Sequence, residues 1–386
     1  MIPYSRQSIS QDEINEVIEV LNSDFLTQGS KVEKFENELK KISDGKYAIA
    51  VNSATSALHL ACLSLGLKKG DIVWTVPNTF VASANCALYC QAKVDFVDID
   101  KDTLNMSVPD LYKKLVIAQK SGSLPKILIP VHYSGYPCDM KKIFDLSKKF
   151  NFKIIEDASH ALGAKYDDLS SVGSCRYSDI TVFSFHPVKI ITTAEGGAAI
   201  TNDKEIAKQI SLLRTHGITR DIRLMTKPKE NPWYYEQIAL GFNYRLSDVH
   251  AAIGLAQIRK LDLFRELRLE IVKRYDEKLS KFKELILPNL DERKRSSWHL
   301  YPVILRSKKN YEQIFDRLRS IGIGVNLHYL PVHMHPYYRQ LGFKKGDFPI
   351  SENFAERVMT IPVYPSLNIH DQERVINAFK LIFGKA

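Results

Sequence analysis

From residue 46 onward, short apolar runs rich in β-branched and aromatic residues alternate with segments whose apolar residues recur every three or four positions. The first pattern predicts buried strands and the second predicts amphipathic helices. The predicted strands cover residues 47–51, 72–76, 94–99, 127–131, 153–155, 180–185 and 198–201, with the direction of the last left open. The predicted helices cover residues 11–23, a segment from Val32, 56–65, 81–91 and 140–150. This alternation predicts an α/β fold with a mostly parallel central sheet.

The pattern changes after about residue 246. A long helix is predicted by apolar residues at Ile258, Leu261, Phe264, Leu267, Ile271, Tyr275 and Leu279. Beyond it we predict a strand over 298–305, a helix over 311–321, extended segments and a last helix over 371–382. The chain is therefore predicted to form a large domain over 1–250, followed over 251–386 by a linker helix and a small C-terminal α/β domain.

The composition is that of an ordinary globular protein, with 386 residues, 45% hydrophobic and 25% charged. No apolar run reaches the length that a bilayer requires, and the first residues lack the apolar core of a signal peptide, so we expect a cytoplasmic protein. The five cysteines are scattered without a CxxC pair, which predicts reduced core thiols and no metal site.

The formal charge of +10 is compatible with nucleic-acid binding, but the lysines are dispersed and no basic stripe with interleaved aromatic residues stands out. We therefore expect no nucleic-acid partner. A basic surface also suits a substrate that carries phosphates, and the charge alone does not decide between partners.

The most informative stretch is 179–197, DITVFSFHPVKIITTAEGG. Its apolar run ends at Pro187, and Lys189 follows between two pairs of branched apolar neighbours. An ammonium group in such surroundings is costly to bury, and a lysine with a lowered pKa is a nucleophile for carbonyl groups. The alternative is an ordinary exposed lysine in a loop, which this stretch alone favours.

Several other strand ends carry polar or aromatic residues. In open α/β sheets, ligands bind beyond the carboxyl ends of the strands. Ser53 and Thr55 open a helix and suit a phosphate or a plain helix cap, whereas Phe80 suits a ring contact or a core position. Asp157 ends an apolar strand and suits either a cationic partner or a helix cap. Together with Lys189, these residues match what pyridoxal phosphate (PLP) needs: a phosphate cradle, an aromatic contact, an acid for the pyridine nitrogen and an amine for the aldehyde.

The chain resembles the nucleotide-sugar aminotransferases of the DegT/DnrJ/StrS type, which have the fold-type I aspartate aminotransferase architecture. The resemblance extends over nearly the whole chain and is most specific in FSFHPVK and TAEGG. Other matching segments are LTQGSKVEKFE, NSATSALHL, PNTFVASANCAL, VDFVDID, EDASHALGAKY, RTHGI, GFNYRLSDVHAAIGLAQI and GVNLHYLPVH. The branch it resembles most is that of the pseudaminic acid pathway, whose members aminate C4 of a UDP-linked 4-keto-6-deoxy-N-acetylhexosamine, usually with glutamate as the donor.

The resemblance implies a role for each matching residue. Lys189 binds the cofactor aldehyde and carries protons, Asp157 pairs with the pyridine nitrogen, Phe80 stacks on the ring and His160 lies beside it. The phosphate is held by Ala54, Thr55 and Ser184 and, from the neighbouring subunit of a homodimer with shared sites, by Asn243. The nucleotide sugar is contacted by Tyr4, Leu26, Thr27, His328 and Tyr329.

Some alternatives stay open. The substrate could be another nucleotide keto sugar (a dTDP-sugar aminated at C3 or C4, or one of the aminoarabinose or legionaminic branches), or the chain could be a PLP-bound regulator without turnover. A nicotinamide enzyme is disfavoured because no GxGxxG follows an early strand. The run 220–233 is longer than the family pattern and could reshape the substrate entrance or be a solvated loop. His333 and His335 have the spacing of metal ligands, but partners for a metal are lacking and a bland loop is favoured.

Overall fold

The computed structural model describes residues 1–227, 231–289 and 295–384, and its centre is a seven-stranded sheet. The strand order is β1-β7-β6-β5-β4-β2-β3. Strands β2 to β6 are mutually parallel, whereas β7 runs antiparallel to both of its neighbours, β1 and β6. The strands are β1 Tyr47–Val51, β2 Ile72–Thr75, β3 Lys93–Phe96, β4 Ile127–Leu128, β5 Lys153–Asp157, β6 Ile180–Ser184 and β7 Gly197–Thr201. The predicted α/β class is confirmed.

Helices cover both faces of this sheet. They are α1 Gln11–Leu21, α2 Ser30–Ser43, α3 Ala54–Ser64, α4 Ala82–Tyr89, α5 Val108–Ser121, α6 Met140–Phe150, α7 Lys204–Leu213, α8 Asp248–Ile258 and α9 Leu261–Leu279. Most begin at a side-chain cap, as at Ser53 for α3 and Ser247 for α8. The sequence pattern did not predict α5 and α7, which begin at the caps Ser107 and Asp203.

A second, three-stranded antiparallel sheet lies in the C-terminal part of the chain. It consists of β10 Leu285–Ile286, β11 Tyr301–Leu305 and β12 Val358–Ile361, and a separate pair is formed by β8 Ile218–Thr219 and β9 Glu236–Gln237. The remaining helices are α10 Tyr311–Ser320, α11 Pro336–Gln340, α12 Pro349–Ala355 and α13 Ile369–Phe383, with short 3₁₀ turns at Tyr133–Gly135 and Val332–Met334. The proposed domain boundary at residue 250 falls inside α8 and stays a prediction.

The prediction of one continuous helix from Ile258 to Leu279 is wrong at its start. The chain turns at Lys260, so that α8 ends at Ile258 and α9 starts at Leu261. The turn is held by the Lys260 ammonium group, which lies 2.9 Å from the buried carboxylate of Glu13 and 2.6 Å from the Ser10 hydroxyl. The ion pair between Lys260 and Glu13 therefore stabilises a break between α8 and α9, although the helical spacing of apolar residues continues through it.

Several predicted strands are shorter than expected, and the one predicted over 94–99, for example, ends at Phe96. The segment 127–131 pairs as a strand only over Ile127–Leu128, and Pro130 lacks the N–H that a ladder bond needs. The segment 298–305 pairs only from Tyr301, because Trp298 adopts φ +52°, outside the strand region.

Three further predictions concern the run 220–233, the cysteines and the absence of a membrane span. The run 220–233 leads from β8 towards β9, and residues 228–230 of it lie outside the described part of the chain. All five cysteines are free and buried. Among the described residues, no helix combines the length and the apolar character that crossing a membrane needs, and the cytoplasmic location stays a prediction.

Candidate active site

A cavity of about 480 Å³ lies at the carboxyl ends of β1, β5 and β6. Strand register explains the convergence, because Gly197 of β7 pairs with both Val51 and Ser184, the last residues of β1 and β6. Ten of the thirteen predicted site residues line this cavity: Tyr4, Ala54, Thr55, Phe80, Asp157, His160, Ser184, Lys189, His328 and Tyr329. A larger cavity, about 590 Å³, lies beside Asp100 and Arg295, and none of the predicted site residues lines it.

Lys189 lies in the turn after β6. Its backbone N–H bonds to the carbonyl of His186, and the preceding carbonyl, that of Val188, accepts a 3.0 Å hydrogen bond from Ser5. The N-terminal segment therefore fixes the lysine turn from outside the sheet. Burial lowers the pKa of Lys189 to about 8, although the charge of Asp157 acts in the opposite direction. A substantial fraction of the amine is thus neutral, and nucleophilic, near pH 8.

The carboxylate of Asp157 is buried at the end of β5 and is held at both oxygens. Oδ2 accepts a 2.6 Å hydrogen bond from Ser83 of α4, and Oδ1 accepts one of 3.1 Å from the backbone N–H of Ser159. Ser83 is in turn 2.8 Å from the Thr79 hydroxyl. These hydrogen bonds fix the direction of the carboxylate, which suits it to pair with a cation.

The N-terminus of α3 opens into the same cavity. Ser53 caps the helix by accepting from the N–H of Ser56, which leaves the first N–H groups, those of Ala54 and Thr55, without an intrahelical partner. Gly197 lies against this turn so closely that a Cβ there would be 2.4 Å from the nitrogen of Ala54. The glycine thus lets β7 approach a helix end that is suited to a phosphate.

Aromatic and histidine side chains also line the cavity. His160 Nε2 lies 3.0 Å from the Tyr329 hydroxyl, and the two rings are nearly parallel. Phe80 is 59% exposed and faces Tyr329, with 6.5 Å between the ring centroids. Burial and the charge of Lys189 lower the pKa of His328 to about 3, so that this histidine is neutral at ordinary pH.

Three predicted residues lie outside the cavity. Leu26 is 51% exposed, and Thr27 and Asn243 are also exposed at the surface. Asn243 pairs through its backbone with Thr215, and its carbonyl accepts from the Asn52 side chain. None of the three contributes to the 480 Å³ cavity of its own chain.

The DegT/DnrJ/EryC1/StrS aminotransferase family matches residues 7–380. The chain belongs to this family. A UDP-4-amino-4,6-dideoxy-N-acetyl-beta-L-altrosamine transaminase of Campylobacter jejuni (serotype O:23/36) is 41% identical to it, over 100% of this chain and 98% of the relative. The spore coat polysaccharide biosynthesis protein SpsC of Bacillus subtilis is 36% identical, over 98% of this chain and 96% of the relative.

Solved structures agree with this assignment. Helicobacter pylori PseC, described as an aminotransferase of pseudoaminic acid biosynthesis, superposes with a TM-score of 0.89 at 30% identity, covering 99% of both chains. The PLP form of the putative sugar aminotransferase Spr1654 from Streptococcus pneumoniae gives a TM-score of 0.87 at 28% identity, covering 99% of this chain and 98% of that one. The protein is therefore a PLP-dependent sugar aminotransferase with the expected fold.

The cavity fits this cofactor. It offers the free N–H groups of α3 to a phosphate, the anchored carboxylate of Asp157 to a pyridine nitrogen and the amine of Lys189 to an aldehyde. When bound, PLP supplies that aldehyde and a ring that accepts electrons from the reacting carbon.

Some contributors were not found from the sequence. Ser83 anchors Asp157, and Asn78 accepts from the backbone N–H of Tyr329 at 3.1 Å. Both lie in the segment PNTFVAS, which the sequence singled out only for Phe80. Asn78 lies in the bend after β2 and Ser83 in the first turn of α4, and their polarity among apolar neighbours is the signal that points to them.

Proposed function

We propose that the protein moves an amino group from glutamate to C4 of a UDP-linked 4-keto-6-deoxy-N-acetylhexosamine, in pseudaminic acid or related surface-glycan biosynthesis. The observation that carries the proposal is the 41% identity to a UDP-altrosamine-type transaminase along the entire chain, with a second such relative at 39%. The PseC-like fold supports it. The SpsC relative favours a second candidate, amination of another nucleotide keto sugar for a surface polysaccharide.

The proposed chemistry uses two protein groups. Lys189 would hold the cofactor through its aldehyde and, when its amine is free, would carry the proton at the reacting substrate carbon. Asp157 would pair with the pyridine nitrogen, because Ser83 and the Ser159 N–H hold its carboxylate in a fixed direction. Phe80 would stack on the ring, and His160 would lie beside it.

The remaining cavity residues bind the ends of the ligands. Ala54, Thr55 and Ser184 hold the cofactor phosphate at the α3 end. Tyr4 and His328, whose rings are 5.0 Å apart, contact the nucleotide sugar together with Tyr329. A neutral His328 suits a sugar hydroxyl or amide, which needs hydrogen bonds rather than a counter-charge.

We further propose a homodimer with shared sites. The exposed positions of Leu26, Thr27 and Asn243 support it, because residues with binding roles that do not reach their own cavity are available to a second copy. An apolar groove beside α1 also supports it. Its exposed members Ile9, Ile14 and Ile18 lie next to Pro187 and Ala194, which flank the Lys189 turn.

The test is incubation of the purified holoenzyme with glutamate and a panel of UDP- and dTDP-linked 4-keto and 3-keto sugars, with products identified by mass spectrometry and NMR. A 4-amino product from the UDP-linked 4-keto-N-acetylhexosamine alone supports the proposal. Preferred turnover of another sugar contradicts the substrate. Lys189→Ala is expected to abolish both the visible absorbance of the bound cofactor and turnover, and normal amino-sugar output from it would contradict the role of Lys189.

A further inference from the structure

Two buried histidines from distant parts of the chain lie against each other behind the active-site cavity. His160 follows β5 and His299 precedes β11, and their ring centroids are 4.4 Å apart. Their exposed fractions are only 4% and 2%. Nδ1 of each ring has no hydrogen-bond partner among the residues that the structure describes.

His160 faces the cavity with its other nitrogen. Nε2 lies 3.0 Å from the Tyr329 hydroxyl, and Tyr329 lines the cavity beside Lys189. The backbone of His160 is also fixed from the His299 side, since its carbonyl accepts a 2.7 Å hydrogen bond from the Ser297 hydroxyl. The His160 ring therefore has a polar contact with Tyr329 at the cavity and a packing contact with His299 on its other side.

His299 is held in place independently of this contact. Its N–H donates to the carbonyl of Ser134 at 2.9 Å, and the buried Arg268 lies 3.4 Å from its carbonyl and 2.8 Å from that of Val363. Gly135 permits the close approach, because a Cβ there would be 2.4 Å from the Ser297 hydroxyl. The backbone that carries the His299 ring is thus fixed by hydrogen bonds.

The surroundings disfavour a positive charge on either ring. Burial first, and then nearby cations, lower the pKa of His160 and of His299 well below the usual histidine value. The titratable and charged groups around the pair are Asp157, Lys189, His132, His328, Arg268, Tyr133 and Tyr329. Two imidazolium rings in contact beside a lysine and an arginine would repel each other strongly.

We propose that His299 is a positioning residue of the active site. Its ring packs on His160, keeps water from the Nδ1 edge and so holds His160 as a neutral imidazole with Nε2 directed at the Tyr329 hydroxyl. This rests on the proposed place of His160 beside the cofactor ring. A neutral ring there adds no second cation to compete with the pyridine nitrogen for the Asp157 carboxylate.

The direct test is nitrogen NMR of apo-protein labelled with ¹⁵N-histidine between pH 5.5 and 8.5, with His160 assigned from the spectrum of His160→Gln. In the wild type, His160 is expected to remain one neutral tautomer over the whole range. In His299→Ala, water reaches Nδ1 and the pKa of His160 is expected to rise towards its ordinary value of about 6.5, so that the ring titrates within this range. His299→Phe keeps the ring contact and is expected to keep His160 neutral.

A kinetic readout follows from the same change. His299→Ala should lose up to about 10-fold in kcat as the pH falls to 5.5 and approach the wild type at pH 8, whereas His299→Phe should keep the wild-type shape of the pH profile. If His299→Ala does not fold, His299→Asn replaces it, since it also removes the ring. Titration of His160 in the wild type or in His299→Phe, or a neutral His160 in the ring-deleted variant, would overturn the proposal. These spectra are recorded without cofactor or substrate. Their outcome therefore does not depend on whether the proposed sugar substrate is correct.

Discussion

The Ser83 hydroxyl donates a 2.6 Å hydrogen bond to Oδ2 of Asp157, so that a residue of α4 orients the carboxylate at the end of β5. Both side chains are buried, with 0% and 5% exposed. A hydrogen bond to a charged group of this kind is worth roughly 1.5–3 kcal/mol. Ser83 therefore fixes the direction of the carboxylate that we propose pairs with the cofactor ring.

Ser83→Ala is expected to lower kcat/KM by about 10-fold or more and to weaken cofactor binding, because Asp157 loses the donor that fixes its direction. Steady-state kinetics and a PLP titration of apo-protein check this. Ser147→Ala is a matched control, since Ser147 is also a buried helical serine, but among the described residues its hydroxyl bonds only to the Phe144 carbonyl. Equal kinetics for the two variants would show that Asp157 needs no such support.

The sequence predicted the parts of the fold that depend on local pattern. β1 and α6 have the predicted bounds, because an uninterrupted apolar run and an amphipathic period each define one element. The turn at Lys260 was missed because it depends on Glu13, about 250 residues away. Lys189 and Asp157 could be predicted to lie at the cavity because one closely follows an apolar strand and the other ends one, whereas the contacts of Ser83 and His299 are tertiary and have no local pattern.

The amine of Lys189 is expected to react as a group with a pKa of about 8 in apo-protein. Below pH 8 the ammonium form predominates and acylation slows, and above pH 8 the rate levels off. Asp157 raises this pKa, so Asp157→Asn should move the midpoint to lower pH. Competitive acylation followed by peptide mass spectrometry measures both midpoints.

Lys142 supplies the internal control for that experiment. It is an exposed lysine whose pKa is raised by Asp139, so it should label with a higher midpoint than Lys189 and be unaffected by Asp157→Asn. A Lys189 midpoint that matches that of Lys142, or that rises in Asp157→Asn, would contradict a buried amine coupled to this carboxylate.

Gly197→Ala is expected to weaken PLP binding about 10-fold or more. The new Cβ would meet the nitrogen of Ala54 at 2.4 Å and the carbonyl carbon of Ser53 at 2.5 Å, so the start of α3 must shift away from the phosphate position. Absorbance titration of apo-protein with PLP measures the affinity. Gly70→Ala, where a Cβ meets no atom within 4 Å, should leave the affinity unchanged despite some backbone strain at φ +89°. A Gly197→Ala protein with normal PLP affinity would place the phosphate elsewhere.

Asn243 provides the sharpest test of shared active sites. Its side chain is exposed and outside the cavity of its own chain, so its proposed phosphate contact requires a second subunit. Lys189→Ala and Asn243→Ala should each be poorly active alone, because every site then lacks either the amine or the phosphate contact. Mixed dimers formed by co-expression contain one site in which both residues are intact. Since random pairing makes half of the dimers mixed, activity should return to about a quarter of the wild type.

A contact between Asn243 and the phosphate of its own chain would give a different result in the mixing experiment. If Asn243 acted on the phosphate of its own chain, the only subunit with an intact Lys189 in a mixed dimer would always lack Asn243. Mixing would then dilute the Asn243→Ala activity and restore none. A matched control pairs Lys189→Ala with Ser83→Ala, because Ser83 and Asp157 belong to one chain and their bond cannot be completed by a partner. Recovery in the first mixture without recovery in the second requires a site built from two chains, which is also what the exposed apolar groove beside α1 favours.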